Sequence, residues 1–306
     1  MKSLDARQEP RLEDRSTDEL ESITEPDDNA ALSRKTPRAM ALEAMCTLLE
    51  LLHFDLNETA NDVTFYLQAG RSLDEGPKAR AAAMVRNDHF KTFISEPDSS
   101  MLLVNGRADL SSVDGVSPLS FVAAELVKTT GEQGSAFIAS FFCGRHRPAY
   151  GQTSPYSQAC NLIASLLGQL IAQLIDRGVE IDLSFLKKDD WQDLHELKLT
   201  SLCFAFRRLA KQLPRKSLLL CVVDEIALYE TEGLANDTEA TMSRLAKLVR
   251  AQDDVIFKLL VTSHNRALYV WKYFIGHMLN LQEDIEPDDS SGWHVSAMGD
   301  VQNGLR

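Results

Sequence analysis

The chain is short of positive charge, of aromatic rings and of long apolar runs. Its 306 residues carry 32 lysines and arginines against 45 acidic groups, a net charge of −13. An acidic surface repels phosphate backbones, so nucleic acid is excluded as a general partner. Aromatic residues make up 7%, and Trp191, Trp271 and Trp293 follow no spacing on which bases would stack. The longest apolar stretch, LIASLLGQLIAQLI, is too short and too interrupted to span a bilayer, so no membrane segment is expected. The N-terminus, MKSLDARQEP, lacks the apolar region of a secretion signal. Cysteines are few: Cys46, Cys143, Cys160, Cys203 and Cys221 form an odd set without close pairs, which fits reduced thiols and a cytoplasmic chain. Cys143-Gly144-Arg145-His146 is half of a metal site, with no second Cys/His pair at suitable spacing. No Gly-x-Ser-x-Gly elbow marks a hydrolase.

What is present is an ordinary apolar share of 44%, enough for one large domain or two small ones. The charge is uneven. Residues 1–36 carry −4 and residues 282–306 carry −5 of the total. Both ends read as disordered acidic tails too polar to bury a core. Residues 37–95 read as a helical lead-in. Thr36-Pro37 opens a helix, and Ala41, Met45, Leu48, Leu49, Leu52 and Leu56 follow at helical spacing. A second helix runs through Val63 and Tyr66 to Gly70. Gly76-Pro77 is expected to break the chain, and PKARAAAMVRNDHFKTFI to form one helix closed by Glu96-Pro97.

Residues 96–281 change pattern. MLLVN, SAFIASFFCG, SLLLCVVDE and VIFKLLVTS are continuous apolar runs of strand length. Helical patterns alternate with them after Ser117-Pro118, after Ser154-Pro155, over about 200–212 and after Asp237-Thr238. Alternating strands and helices imply an α/β fold: a parallel sheet with helices on both faces, three layers in all.

Ligands of such sheets bind beyond the carboxyl ends of the strands. Four ends are legible there: Gly106-Arg107, Gly144-Arg145-His146-Arg147, Asp224-Glu225 and Thr262-Ser263-His264-Asn265-Arg266. Cations, a carboxylate pair and hydroxyls on one edge are what a magnesium-phosphate site needs. LLLCVVDE is the strongest signal. Asp224 there suits a magnesium shell and Glu225 a base that polarises water. The first strand end is weaker. A phosphate loop cradles phosphates with backbone N–H groups, neutralises them with lysine and binds magnesium through Ser or Thr. Gly106 and Gly115 are farther apart than that motif allows, and Val116 stands where the lysine belongs. Ser117 can still reach a metal, whereas Pro118 removes a donor from the helix start. Arg107, Arg145 and Arg147 are the cations that could compensate, although each alone also reads as a solvated loop arginine.

The order of these parts resembles the nucleotide-binding domain of NACHT-like signal-transduction ATPases, the STAND-type P-loop NTPases, and most of all their divergent fungal set. The resemblance covers about residues 80–270. It implies a P-loop NTPase fold acting as a switch, with Asp224 as the Walker B magnesium aspartate and Glu225 as the adjacent catalytic acid. Thr262 and Ser263 would form the sensor region, and Gly106, Gly115 and Ser117 the remnants of Walker A. The lysine has no counterpart. The first expectation is therefore a degenerate P-loop domain that serves as a protein-interaction or scaffold module and binds nucleotide weakly or not at all. The second is a Mg-ATP-dependent switch with a rearranged loop and slow hydrolysis. An α/β domain without a ligand is the third.

Overall fold

The computed structural model describes residues 36–107, 116–147, 158–251 and 254–285. Gly115 and nearly all of both acidic tails lie outside these residues. The fold is α/β, and an N-terminal helical segment precedes the sheet. Five strands, β1 (Ser100–Asn105), β2 (Phe137–Phe142), β3 (Leu218–Asp224), β4 (Ile256–Ser263) and β5 (Met278–Asn280), lie in the order β2-β3-β4-β1-β5. All four pairings are parallel.

The apolar runs are continuous because both faces of the sheet are covered. On one face Met101, Leu103, Leu219, Cys221, Val223, Leu259 and Val261 meet α1 (Pro37–Leu51), α6 (Gln158–Asp176), α8 (Leu199–Ala210) and α9 (Ala235–Arg250). On the other, Leu102, Val104, Leu220, Val222 and Leu260 meet α2 (Leu56–Arg71), α3 (Glu75–Arg86), α4 (Asp88–Ser95) and α5 (Pro118–Glu132). A short helix, α7 (Lys188–His195), buries only Leu194. The helical lead-in thus contributes to both cores. By length and composition α6 could cross a membrane, since it continues to 19 residues, but 72% of its apolar window is buried inside the protein. Burial, not shortness, makes it a core helix.

Several boundaries differ from the sequence expectation. Gly76 and Pro77 do not break the chain; they sit in the first turn of α3, behind Asp74. Proline is tolerated there because first-turn N–H groups have no helical acceptor. The single helix expected through Phe90 is divided into α3 and α4. Asn87, extended, caps α4 by accepting a hydrogen bond from the His89 N–H at 2.9 Å, a local bond that competes with helix continuation. Leu56 belongs to α2, not α1. His53 takes a left-handed φ of 49° and Asp55 caps the new helix through the Asn57 N–H. The link between them lays Phe54 on Gly168 of α6, where any Cβ would overlap the Phe54 ring.

The β2 edge of the sheet is covered in an unusual way. Gln169 and Gln173 project from α6 and bond the outer peptide groups of β2. Gln169 accepts from the Ser140 N–H at 2.8 Å and donates to the Ser140 carbonyl at 2.7 Å. Gln173 accepts from the Ile138 N–H at 2.9 Å and donates to its carbonyl at 2.5 Å. Two side-chain amides thus take the place of a neighbouring strand.

Candidate functional site

The chain leaves β1 into α5 on one face and leaves β4 into the 3-10 turn Val270–Tyr273 on the other. These strands are neighbours. Adjacent strands whose connections depart to opposite faces open a crevice at their carboxyl ends, where α/β sheets bind ligands. Asp224, Glu225, Thr262, Ser263, His264, Gly106 and Ser117 come from the strand and helix ends around it.

Asp224 and Glu225 are the most unusual groups there, at 0% and 2% exposure. The Thr262 hydroxyl donates to Asp224 Oδ1 at 2.5 Å and accepts from the Glu225 N–H at 3.1 Å. Glu225 lies in the left-handed region, φ 59°, a conformation uncommon for a non-glycine residue. That turn lets Glu225 Oε2 accept from the His264 N–H at 3.1 Å and contact the His264 ring nitrogen Nδ1. Asp224 Oδ2, Glu225 Oε1 and the Ser263 hydroxyl are buried without a hydrogen-bond partner among the described residues. The Ser120 hydroxyl approaches Asp224 from α5 but completes no bond. Burial, reinforced by the neighbouring Glu225 charge, pushes the Asp224 carboxyl up to about 8. At neutral pH this group therefore keeps a proton. The Glu225 contact raises the His264 pKa, while burial works against it.

The groups expected to hold phosphate are otherwise engaged. The Gly106 N–H donates to the Ser263 carbonyl at 2.7 Å, prolonging the β1–β4 ladder by one residue. A Cβ at Gly106 would lie 2.7 Å from the His264 carbonyl oxygen, so only glycine fits. Arg80 of α3 donates to the Gly106 carbonyl and to those of Gln282 and Glu283, the last at 2.7 Å. Arg107 pairs with Glu283 at 3.8 Å. Ser117 is the N-cap of α5, accepting from the Leu119 N–H at 3.2 Å. Val116 packs against the apolar core on the α5 face, where a lysine head group would lose its hydration.

Arg145 points to α2 instead, pairing with Asp62 at 3.5 Å and lying 4.3 Å from the Phe65 ring centre. His146 joins the same carboxylate at 2.6 Å. Arg147 is exposed, as Arg107 and Arg145 are, and its charge acts on His264, Cys143 and Tyr229. Arg107 lies at this edge too, its N–H donating to the Asn265 carbonyl at 3.3 Å. Ser120 was not singled out from sequence, and His264 stood there only as part of the polar run that ends the fourth strand. Ser120 lies three residues after Ser117, one helical turn on, a spacing that could have drawn attention to it.

Among the described residues no group of three or more His, Cys, Asp or Glu side chains converges as a metal cluster. Two buried carboxylate oxygens without partners still match the oxygen ligands a hard divalent cation takes. Comparison with protein-family models, with characterised proteins and with solved structures finds no match for the chain.

Proposed function

We propose that this chain is a degenerate P-loop-like module that works by binding another protein and does not depend on nucleotide turnover. One surface carries the reading. Between β4 and β5, Leu268, Tyr269, Trp271 and Ile275 are 61%, 46%, 40% and 64% exposed. Large apolar and aromatic side chains gathered in one exposed segment mark protein interfaces. The segment is held in place from below. Buried Glu230 accepts from the Leu268, Tyr269 and Val270 N–H groups, each at 2.7 Å. A patch ordered in advance loses less conformational freedom on binding.

The engaged phosphate-loop groups support the same reading. Gly106, Arg107, Ser117 and Arg145 all have partners within the chain, and Val116 supplies no charge.

A second reading, a Mg-ATP-dependent switch, is favoured by one observation: the orphaned oxygens of Asp224, Glu225 and Ser263 at the crevice. These residues fit a divalent cation, which Asp224 would hold beside Ser117 and which would supply charge neutralisation for a bound phosphate. The cationic part of a triphosphate site is weaker, since Arg107 and Arg145 are already paired with carboxylates.

Titration with ATP and ADP in magnesium separates the two. The interaction reading expects no saturable binding at about millimolar nucleotide. Micromolar binding that disappears in Asp224→Ala would overturn it. Against a bound partner, Leu268→Ser with Ile275→Ser should weaken association at least about tenfold while leaving the melting temperature unchanged.

A further inference from the structure

On the sheet face opposite α5, helices α6, α8 and α9 leave an open groove of about 410 Å³. Its floor is apolar: Ile163 of α6, Phe206 of α8 and Leu245 of α9 are buried there. Phe204 stands at its mouth, 41% exposed. Its rim is cationic. Arg207 comes from α8, Arg244 and Lys247 come from α9, and no carboxylate lines the groove. The nearest acidic groups along the chain from Thr200, Asp193 and Glu196, are taken by Lys198 at 2.6 and 3.0 Å. Arg208 turns away onto the Phe185 ring, 5.1 Å from its centre.

Three cations around one groove, with no carboxylate partner among the described residues, are unexpected in a chain of net charge −13. Like charges held together repel unless an anion enters between them. An inorganic anion would satisfy the rim and leave the floor wet. A hydrocarbon would cover the floor and leave the rim unpaired. Only a molecule with both parts uses the whole groove, and the volume lies in the range of small-molecule sites.

We propose that this groove binds a small amphipathic carboxylate, an alkyl or aryl chain bearing one anionic head. The chain lies along Ile163, Phe206 and Leu245, with Phe204 closing over it. The head sits among Arg207, Arg244 and Lys247, where charge-assisted hydrogen bonds hold it. The site uses no residue of the β1–β4 crevice, so it stands whether or not nucleotide binds there.

Calorimetric titration of the full chain with decanoate, at concentrations where decanoate is monomeric, tests this. One molecule per chain should bind, with decanol and inorganic phosphate each at least about tenfold weaker. Arg244→Gln should weaken decanoate at least about tenfold. Arg244 also reaches the Cys203 thiol, so the exposed Lys247→Gln and Arg207→Gln supply the same comparison without touching the core. No saturable binding overturns the proposal. So does equal affinity for decanoate and decanol, or decanoate affinity unchanged in all three variants whose melting temperature matches the parent.

Discussion

Replacing Asp224 by asparagine should make the protein more stable in alkaline solution. The carboxyl is fully buried and its pKa rises from 3.8 to about 8 on folding. Between those values the folded chain holds a proton that the unfolded chain has released. Stability therefore falls as pH rises. Its contribution is complete below about pH 3.8, declines through the neutral range and is gone above about pH 8. At 1.36 kcal/mol per pH unit, a rise of about four units corresponds to about 5–6 kcal/mol. Part of that rise comes from the neighbouring Glu225 charge, so the observable change should fall at about 3–6 kcal/mol. Asparagine keeps the shape of the protonated acid, can still accept the Thr262 hydroxyl, and does not ionise. Urea unfolding of parent and Asp224→Asn from about pH 5 to about pH 9 measures the gap. The variant should lead by about 1–2 kcal/mol at the acidic end and by several more at the alkaline end. A gap that stays constant across this range would refute the reasoning. Magnesium adds a second discrimination. If the ionised carboxylate binds it, the parent alone gains about 2.7 kcal/mol at a hundredfold excess over Kd.

Glu230→Ala removes one acceptor shared by three backbone N–H groups. It should cost about 2–4 kcal/mol, and amide exchange should accelerate most at Leu268–Val270. Equal protection in parent and variant would dismiss that support. Lys258 is buried in β4, donating to the Phe93 and Glu96 carbonyls and the Ser100 hydroxyl at 2.7–2.8 Å. Burial lowers its pKa from 10.5 to about 8. Between these values the unfolded chain binds the extra proton, so stability rises with pH. Relative to Lys258→Met the parent should gain up to about 3 kcal/mol across that window, read from unfolding curves; a flat difference speaks against it. Gln169→Leu with Gln173→Leu strips the β2 edge of its partners. Stability should drop by about 2–4 kcal/mol and light scattering on warming should increase; an unchanged melting curve would show the amides to be dispensable.

The architecture was legible where burial on both faces writes a continuous apolar run. LLLCVVDE and VIFKLLVTS are such runs, and they became the neighbouring β3 and β4. The fifth strand left no such signal. Only Met278–Asn280 pair, beside β1, and three residues cannot show a period. The division of α3 from α4 turns on one capping side chain, Asn87, inside a sequence whose apolar spacing continues. At the site, Asp224 and Glu225 could be named because they follow an apolar strand. Their mutual geometry could not, since the left-handed turn of Glu225 and its contact with His264 depend on β4 lying alongside. Arg145 looked equivalent to Arg147 in sequence. Asp62, more than eighty positions earlier, separates their roles, and no local pattern carries that information.

The glutamine pair on α6 also limits how the molecule can meet others. Exposed strand edges are templates on which a second chain can lay a strand of its own. With the outer peptide groups of Ile138 and Ser140 already matched by Gln173 and Gln169, this side of the sheet offers no register to copy. A partner approaching there finds helix surface, and recognition passes to side chains rather than backbone. Assembly of this protein is thereby steered away from open-ended sheet growth at β2, whatever binds elsewhere.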